Sequence, residues 1–511
     1  MQQQDKLVIA YDLGTGGLKS SVFTAEGEII ASTFEPYATH YPTLNQQEQA
    51  PEDWWTAIVA STKRLTSRED IDSERIVALA ISGHSLGVVP IGKDGSLLRD
   101  KTPIWSDARA TQQVDRFFEG VDYEKWYTAT GAGFPASCYS IFKIMWYREN
   151  EPEIYSQIDK VIGTKDYCNY RFTGRLCTDY SYASGSGAYD LLGWDYRDDY
   201  IAAAGLDKEI FPEILASDAI VGYLTAEAAE ATGLSQSVAV ISGGVDNSCM
   251  ALGAKGIAES RVYTSLGSSA WIAIVSSQPI VDFKRKPYVF AHLIKGMYAS
   301  ATCIFSAGSS LQWVRNVLCC DLVEAQNNGG EDAYNVISRL VSTSPIGANG
   351  VLFNPSLAGG SMLEPTPFMQ GAFTGLKLSN SREDILRATM EGIALNLRIA
   401  LDVFKKFYPN IDEMLMVGGG AKSPVWMDIF ANCYAMTIEK SNIDQEAASL
   451  GAAAVALKGV GLWDDYSKID TIHKCESKYE KSAEAVAQYD KVLERFKSLS
   501  TSIAELTFIE Q

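Results

Sequence analysis

The pentapeptide Gly243-Gly244-Val245-Asp246-Asn247 constrains this chain more than any other stretch. An apolar run, Val238 to Ile241, precedes it and reads as a buried strand, and a helix-like run, Ser248 to Leu252, follows. The pattern places a carboxylate at the carboxyl end of a strand, in a turn with too little side chain to crowd it. Loop residues held by a rigid strand are where reactive groups concentrate. Two further glycine turns bracket it, Asp12 to Gly17 near the chain start and Gly418 to Ala421 near its end. The arrangement predicts that all three face one cleft, with Asp246 in the middle as the base.

A chain of 511 residues exceeds what one core supports, so at least two domains are expected. The net charge of −19, from 44 basic and 63 acidic residues, argues against a nucleic-acid partner, which needs a basic footprint. A phosphate-bearing ligand would need local donors, because the overall field repels it. The nine cysteines are scattered without a Cys-x-x-Cys pair, so a zinc site is not expected. Cys319 and Cys320 read as two reduced thiols in a helix. The first residues lack the regions of a signal peptide. No apolar run reaches the ~18 residues of a membrane span. The expected setting is cytoplasmic, away from membranes.

Taken in order, Lys6 to Tyr11 reads as a buried strand, Asp12 to Gly17 as a turn, and Lys19 to Phe23 as a second strand. A third runs from Ile29 to Thr33. The acidic glycine turn is thus a hairpin tip, whose amides can line up on an anion. Asp12 suits a magnesium ion held through water better than bare phosphate. The plain alternative is a tight hairpin and no more. Glu48 to Thr66 reads as a core-facing helix. Ile76 to Ile81 reads as a strand ending at Ser82-Gly83-His84-Ser85-Leu86-Gly87, where His84 is either structural or a ligand-facing group. In Trp105-Ser106-Asp107-Ala108-Arg109, ring and ions together suit a polyol, while the competing reading is an Asp107–Arg109 pair capping the next helix. Gly131 to Pro135 fails as a dinucleotide fingerprint, lacking a preceding strand. Thr178 to Ser181 with Ser184-Gly185 reads as a polar loop that frames the cleft or is a turn cluster.

Arg261 to Thr264 and Ala270 to Val275 form a second hairpin with a small-polar tip, Ser265 to Ser269, matching the first in design. Two such halves suggest an internal duplication. Arg382 to Phe407 is a long amphipathic helix. Met414 to Val417 is a strand leaving through Gly418 to Ala421 into a helix from Pro424. Lys422-Ser423 does not complete a P-loop, whose glycines would fall at Met416 and Ala421. The triple glycine instead lets a flat base or ribose lie on the backbone. Glu446 to Gly451 opens a small-residue helix expected beside it. Ser477 to Leu499 reads as a charged amphipathic surface helix.

These residues resemble the carbohydrate kinases of the FGGY type. Asp12-Leu13-Gly14-Thr15 with Lys19 is similar to that family's first phosphate motif, D-x-G-T-x-x-x-K. Gly243 to Asn247 resembles its base-bearing turn, Thr264 to Ser268 its second phosphate turn, and Gly418 to Trp426 with Glu446 to Gly451 its adenosine motif. Lys165-Asp166-Tyr167, Arg171 to Gly174, Thr178-Asp179 and Ala183 to Gly185 look like the xylulokinase branch. The resemblance implies an α/β fold of two actin- and hexokinase-like (ribonuclease H-like) domains flanking a central ATP and sugar cleft. The expected domains are residues 1–242 and 243–511.

The resemblance further implies ATP-dependent phosphorylation of a terminal hydroxyl on a ketose or polyol, D-xylulose or a related pentulose first among them. L-Fuculose, ribulose, glycerol and other polyols are the alternatives, and a non-catalytic ATP-binding regulator is the competing class. Asp246 is expected as base, and Asp12 as holder of hydrated Mg2+. Gly14, Thr15, Gly267 and Ser268 are expected to donate to phosphate. Lys19 is expected either to neutralise phosphate or to brace the hairpin. Gly419 and Ala421 are expected to line the adenosine site. His84, Ser85, Asp107 and Arg109 are expected on the sugar side. One departure stands out. The xylulokinase loop Gly-Gln-Met-His-Gly is here Gly83-His84-Ser85-Leu86-Gly87, so Ser85 and Leu86 replace the Met-His pair. One wall of the sugar pocket is therefore altered. Partners are a small-molecule sugar and, from the resemblance, a second copy of the chain as a homodimer.

Overall fold

The computed structural model describes residues 5–507. The chain divides into two compact units. The first takes residues up to 259 together with 275–300 and 446–472. The second takes 260–274, 301–445 and the remainder from 473. This division differs from a single cut at 242/243, and the reason is local. The strand that ends at Val245 runs straight into the helix Asp246–Gly253. That helix packs on Ala447–Gly459, also in the first unit. The two helices approach closely: a Cβ on Gly253 would lie 1.8 Å from the carbonyl oxygen of Ala447, and one on Gly451 2.0 Å from that of Cys249.

The first unit is built on β1 (Leu7–Leu13), β2 (Gly17–Thr24), β3 (Ile29–Pro36), β4 (Ile76–Gly83), β5 (Ile220–Tyr223) and β6 (Ala239–Val245). They lie in the order β5-β6-β4-β1-β2-β3. Strands β6, β4 and β1 are parallel neighbours, and the outer pairings are antiparallel. β1 reads Leu-Val-Ile-Ala-Tyr-Asp-Leu with little alternation because a parallel strand covered on both faces needs apolar residues on each. The helix Ala447–Gly459 packs on β1, β4 and β6. Trp54, Ile58 and Leu65 of the helix Pro51–Thr66 join Leu7, Ile9 and Tyr11 of β1 in one core.

The second unit repeats the scheme with β7 (Val262–Leu266), β8 (Ala270–Ser276), β9 (Glu413–Val417), β10 (Thr437–Ser441) and β11 (Cys475–Tyr479), in the order β8-β7-β9-β10-β11. The pairings run antiparallel, parallel, parallel, antiparallel. In the first unit β2-β1-β4-β6-β5 has the same sequence of senses. The duplication inferred from two glycine-tipped hairpins is therefore carried by five neighbouring strands of each sheet. The helix Arg382–Phe407 begins with a capping box formed by Ser381 and Asp384 and ends on Lys405 and Lys406. Its buried stripe packs against the helices Gly308–Leu318, Ala333–Thr343 and Pro424–Tyr434.

Several local expectations change. Residues 475–479 add strand β11, so the last helix starts at Ala483 rather than Ser477. The residues read as a polar loop form a short strand, Cys177–Asp179, and a buried helix, Tyr180–Ser184, capped by the Asp179 carboxylate. Cys319 sits at the break between the helices Gly308–Leu318 and Cys320–Asn327, not inside one helix, and both thiols are free.

Candidate functional site

Strand register brings the first set of candidate residues together. Leu13 on β1 and Val245 on β6 both pair with Gly83 on β4, in parallel, so the three carboxyl ends are level. The segments that leave this row are the Gly14–Gly16 turn, the His84–Leu86 loop and Asp246. Open α/β sheets place ligands beyond such carboxyl ends. Asp12 lies opposite Ser82 on one side and Lys19 on the other. Its Oδ1 accepts from the Ser82 hydroxyl at 2.8 Å.

Asp246 occupies the first turn of its helix, partly buried, with Oδ1 accepting from the Asn247 amide at 2.8 Å. The preceding glycines are required by space and conformation. Gly243 has φ +72°, and a Cβ there would meet the Ile81 carbonyl oxygen at 2.2 Å. A Cβ on Gly244 would meet the Leu293 side chain at 2.2 Å. The turn is also pinned from outside. The Ser242 carbonyl accepts from Lys165 Nζ at 3.2 Å and from Asn169 Nδ2 at 2.9 Å. The Val245 amide donates to Ser181 Oγ at 3.0 Å. Lys165 is fully buried, held by the Asp166 carboxylate at 2.5 Å and that of Asp179 at 3.0 Å. Sequence reasoning placed Asp179 in a polar loop that frames the cleft or is a turn cluster, met Lys165 and Asp166 in the family resemblance, and gave none of the three a role at the base turn.

Burial, and then the negative charge of Asp12, push the Asp246 carboxyl up to about 7. Burial likewise raises Asp12, with Glu446 adding to the rise and Ser82 and Lys19 opposing it. A carboxyl near 7 is divided between acid and carboxylate at neutral pH, as a general base requires. If Asp246 is that base, kcat/KM falls with decreasing pH through an acid limb near pH 7. The limb is the titration of the carboxylate form in the free enzyme. A limb at the ordinary carboxylate position, near 4, would show that the burial and repulsion seen here do not govern the reacting group.

The Gly14–Thr15 turn is anchored through its carbonyls. Tyr37 donates to the Gly14 carbonyl, and Gln49 Nε2 to that of Thr15 at 2.8 Å. The Trp105 indole donates to Thr15 Oγ1 at 2.9 Å. An indole only donates, so the Thr15 hydroxyl accepts there and keeps its own proton for another acceptor. Lys19 pairs with Glu446, the N-cap residue of Ala447–Gly459, which is the bracing arrangement of the two considered. His84 and Ser85 are buried in their loop, and Leu86 takes a left-handed φ of 61°. Asp107 and Arg109 hold each other rather than capping a helix. Asp107 accepts from Arg109 Nε at 2.9 Å and Nη2 at 2.8 Å, and from the Gln47 amide at 2.7 Å. Arg109 also reaches Glu48 at 2.7 Å. The following helix has Ala110 at its N-cap, a residue with no capping group. Asp107 is thus spoken for by protein donors, and the pair stiffens the segment that carries Trp105.

In the second unit a cavity of about 650 Å³ is lined by Gly267, Ser268, Gly419, Gly420, Asn335 and Trp426 among others. Its size falls within that of small-molecule sites, about 300–1,000 Å³. The Ser268 carbonyl accepts from the amides of Ala307 and Ser309 at 2.9 and 3.0 Å, and the Gly267 carbonyl from the Gly308 amide at 2.9 Å. This turn, like the first, is held by its carbonyls. Ala421 does not line the cavity. The turn Gly419–Lys422 rotates its methyl into the core, and Gly420 takes the lining position. Asn335, Ser338 and Gly308 were not expected, since they sit on helices whose sequence shows only ordinary amphipathic spacing. A Cβ on Gly308 would lie 2.4 Å from the Gly267 carbonyl oxygen, backbone that cannot swing aside. If this cavity takes the adenosine, as the sequence leads one to expect of Gly267, Ser268 and Gly419, Gly308→Ala should raise the KM of that substrate roughly tenfold, about 1.4 kcal/mol, with little change in the KM of the other. Unchanged KM for that substrate would show that this turn does not contact it.

Residues 7–253 match the family model described as the FGGY family of carbohydrate kinases, N-terminal domain, and residues 262–460 match its C-terminal domain. The xylulose kinase of Bacillus subtilis (strain 168) is 28% identical over 508 residues, covering 98% of this chain and 98% of the relative. A gluconokinase of Bacillus licheniformis is 24% identical over 499 residues, covering 97% of this chain and 96% of the relative. The crystal structure of xylulose kinase from Rhodospirillum rubrum has a TM-score of 0.89 at 26% identity, covering 98% of this chain and all of that one (100%). Plasmodium falciparum glycerol kinase with ADP shares the fold at a TM-score of 0.85 and 19% identity, over 96% of this chain and 98% of that one.

Proposed function

The chain belongs to the FGGY family of carbohydrate kinases, phosphotransferases with an alcohol group as acceptor, and we propose that it phosphorylates a terminal hydroxyl of a pentulose, D-xylulose or a close relative, from ATP with Mg2+. The observation that carries the mechanism is Asp246, level with the carboxyl ends of three strands and pushed up to about 7. Asp246 accepts the proton of the sugar hydroxyl. The oxygen so freed attacks the γ-phosphorus in line, and the bond from that phosphorus to its bridging oxygen breaks, with ADP as leaving group. Such a transition state is loose, so the protein mainly positions groups and balances charge.

In this reading Thr15 donates its free hydroxyl proton to a phosphate oxygen, while the Gly14 amide, already given to the Gly17 carbonyl at 3.1 Å, holds the tip of the hairpin in shape. Ser268 is the donor on the second unit's turn, where the Gly267 amide is already given to the Ser269 carbonyl at 3.0 Å. Gly419 and Gly420 form the surface for the adenosine, with Ala421 as support behind it. His84 and Ser85 face the sugar, and Asp107 and Arg109 stiffen the same wall. Asp12 fits a hydrated magnesium ion. Its carboxyl and that of Asp246 repel each other, and a dication offsets that repulsion. When bound, the ion would neutralise charge on the phosphate oxygens.

Assembly as a homodimer is a further expectation, tested by light scattering against the chain mass of 55.8 kDa. A cytoplasmic setting is part of the same reading. Among the described residues no helix is long and apolar enough to cross a membrane.

The test is ADP release over a panel of ketoses and polyols with gluconate and glycerol included. D-Xylulose or another pentulose should give the highest kcat/KM. Stimulation by gluconate or glycerol alone would reassign the substrate, and the altered loop Gly83–Gly87 makes this comparison the informative one. Tight nucleotide binding with no response to any sugar would replace the kinase by a nucleotide-binding regulator.

A further inference from the structure

Gln49 is completely buried and stands between two segments that carry different substrates in the proposed function. Elementary donor and acceptor chemistry orients its amide. The Thr15 carbonyl can only accept, so the Gln49 atom 2.8 Å from it is the nitrogen. The Trp54 indole can only donate, so the atom 2.9 Å from its Nε1 is the oxygen. That same oxygen lies 3.3 Å from His84 Nε2. An acceptor on one side of the contact requires the proton on His84 Nε2. The His84 ring is neutral, because burial drives its pKa down to about 3, with Lys143 adding to the fall. Nδ1 then holds a bare lone pair. It is buried and meets no donor among the described residues. A buried acceptor left unpaired is costly, and a substrate hydroxyl would relieve it.

We infer that Gln49 is a positioning residue that links the first phosphate turn to the sugar loop. One end of its amide holds the Thr15 carbonyl, and the other fixes His84 in the tautomer whose Nδ1 accepts from a sugar hydroxyl. This rests on the reading that Thr15 faces phosphate and His84 the sugar. The remaining contacts of Gln49 agree with such a brace: Nε2 also donates to Thr39 Oγ1 at 2.8 Å, and Thr39 itself donates to the Thr15 carbonyl at 3.4 Å. The His84 amide donates to the Leu13 carbonyl at 3.2 Å, so the two segments are also joined through the backbone. Loss of Gln49 should therefore be felt by both substrates, although its side chain touches neither.

Two measurements test this. The first is the ¹⁵N spectrum of histidine-labelled protein, in which only four histidines contribute, with His84 assigned by its absence in His84→Asn. The wild type should show His84 as the neutral Nε2–H form down to about pH 5. Gln49→Leu should show both tautomers. The second is kinetic, paired with the Kd of a non-hydrolysable ATP analogue. Gln49→Leu should raise the KM of nucleotide and of sugar by roughly threefold to tenfold each, the range for a lost neutral hydrogen bond. Gln49→Glu keeps the acceptor for Trp54 and His84 but faces the Thr15 carbonyl with an oxygen, so it should raise the nucleotide KM more than the sugar KM.

An Nδ1–H tautomer in the wild type overturns the inference. So does a folded Gln49→Leu protein with an unchanged His84 tautomer, or one in which fewer than both KM values move beyond about twofold. If Gln49→Leu does not fold, the Gln49→Glu pattern and the wild-type tautomer decide. If no sugar is phosphorylated by the wild type, the functional proposal fails, while the tautomer and the analogue Kd still settle the role of Gln49.

Discussion

Asp246→Asn is expected to lower kcat by about 10²- to 10⁴-fold, the usual contribution of a positioned general base. The substitution is nearly isosteric and retains an oxygen for the Asn247 amide, so the first turn of the helix should persist. The nucleotide Kd should stay within about twofold, because the cavity of the second unit does not include residue 246. The same variant should change stability in a pH-dependent way. The folded-state pKa of Asp246 is raised to about 7 from an ordinary value near 4. The stability this carboxyl contributes is thus fully present below the ordinary value and is lost as pH rises through 7. Above pH 7 the wild type carries a repelled, partly desolvated carboxylate that the variant lacks. The variant should then be the more stable protein, by about 1–2 kcal/mol at pH 8 once the screening of a partly exposed group is allowed for. Loss of kcat together with a gain in stability would be hard to obtain from misfolding. Wild-type turnover in the variant would remove Asp246 as the base.

Lys165→Met carries the largest expected effect on stability. Lys165 is fully buried against two carboxylates that are also fully buried. Burial alone would lower its pKa, but Asp166 and Asp179 more than offset this and hold the ammonium in its charged form. Methionine has similar length and no charge. It leaves Asp166 and Asp179 facing each other with nothing between, a loss of about 3–5 kcal/mol for a broken buried pair. The damage should also reach the site. Lys165 donates to the Ser242 carbonyl, and Asp179 caps the helix Tyr180–Ser184, whose Ser181 accepts from the Val245 amide. Two of the three supports of the base turn pass through this cluster; the third is the bond from Asn169 to the Ser242 carbonyl. Urea unfolding followed by tryptophan fluorescence would measure the first effect, and kcat at saturating substrate the second. A loss under about 1 kcal/mol would mean that the carboxylates find protons or water as readily as they found lysine.

Some of this was legible in the residues alone. Asp246 could be placed at the end of a strand because Val238 to Ile241 is apolar and the next two residues but one are glycines. The two glycine-tipped hairpins were enough to suggest a duplication, and the 3.6-residue spacing from Arg382 to Phe407 marked a long helix with its bounds as found. Where expectation and structure differ, the cause is long-range. Asp107 and Arg109 looked like ligand-binding ions because an exposed and a buried ion pair have the same sequence. Glu48, 61 residues from Arg109, completes the buried pair. Ala421 was taken for a lining residue because a triple glycine turn gives no hint of which way its last residue rotates. Residues 477–479 of strand β11 were read as helix because a short, largely polar run at a sheet edge has no apolar alternation to betray it.

Sequence by itself determined the local frame: which apolar stretches are strands, where glycine lets a turn tighten, and which carboxylates stand at strand ends. These depend on backbone sterics and on apolar spacing over a few residues, which are written along the chain. Tertiary structure alone decided the chemistry of the groups so placed. Asp246 titrates near 7 because it is buried with Asp12 beside it, 234 residues away in the chain. Thr15 is a donor because an indole 90 residues on donates to it, and His84 is neutral because it is buried and an acceptor at Nδ1 because Gln49 holds its other nitrogen. Protonation and hydrogen-bond direction depend on which atoms come within about 3 Å, and only the fold sets that.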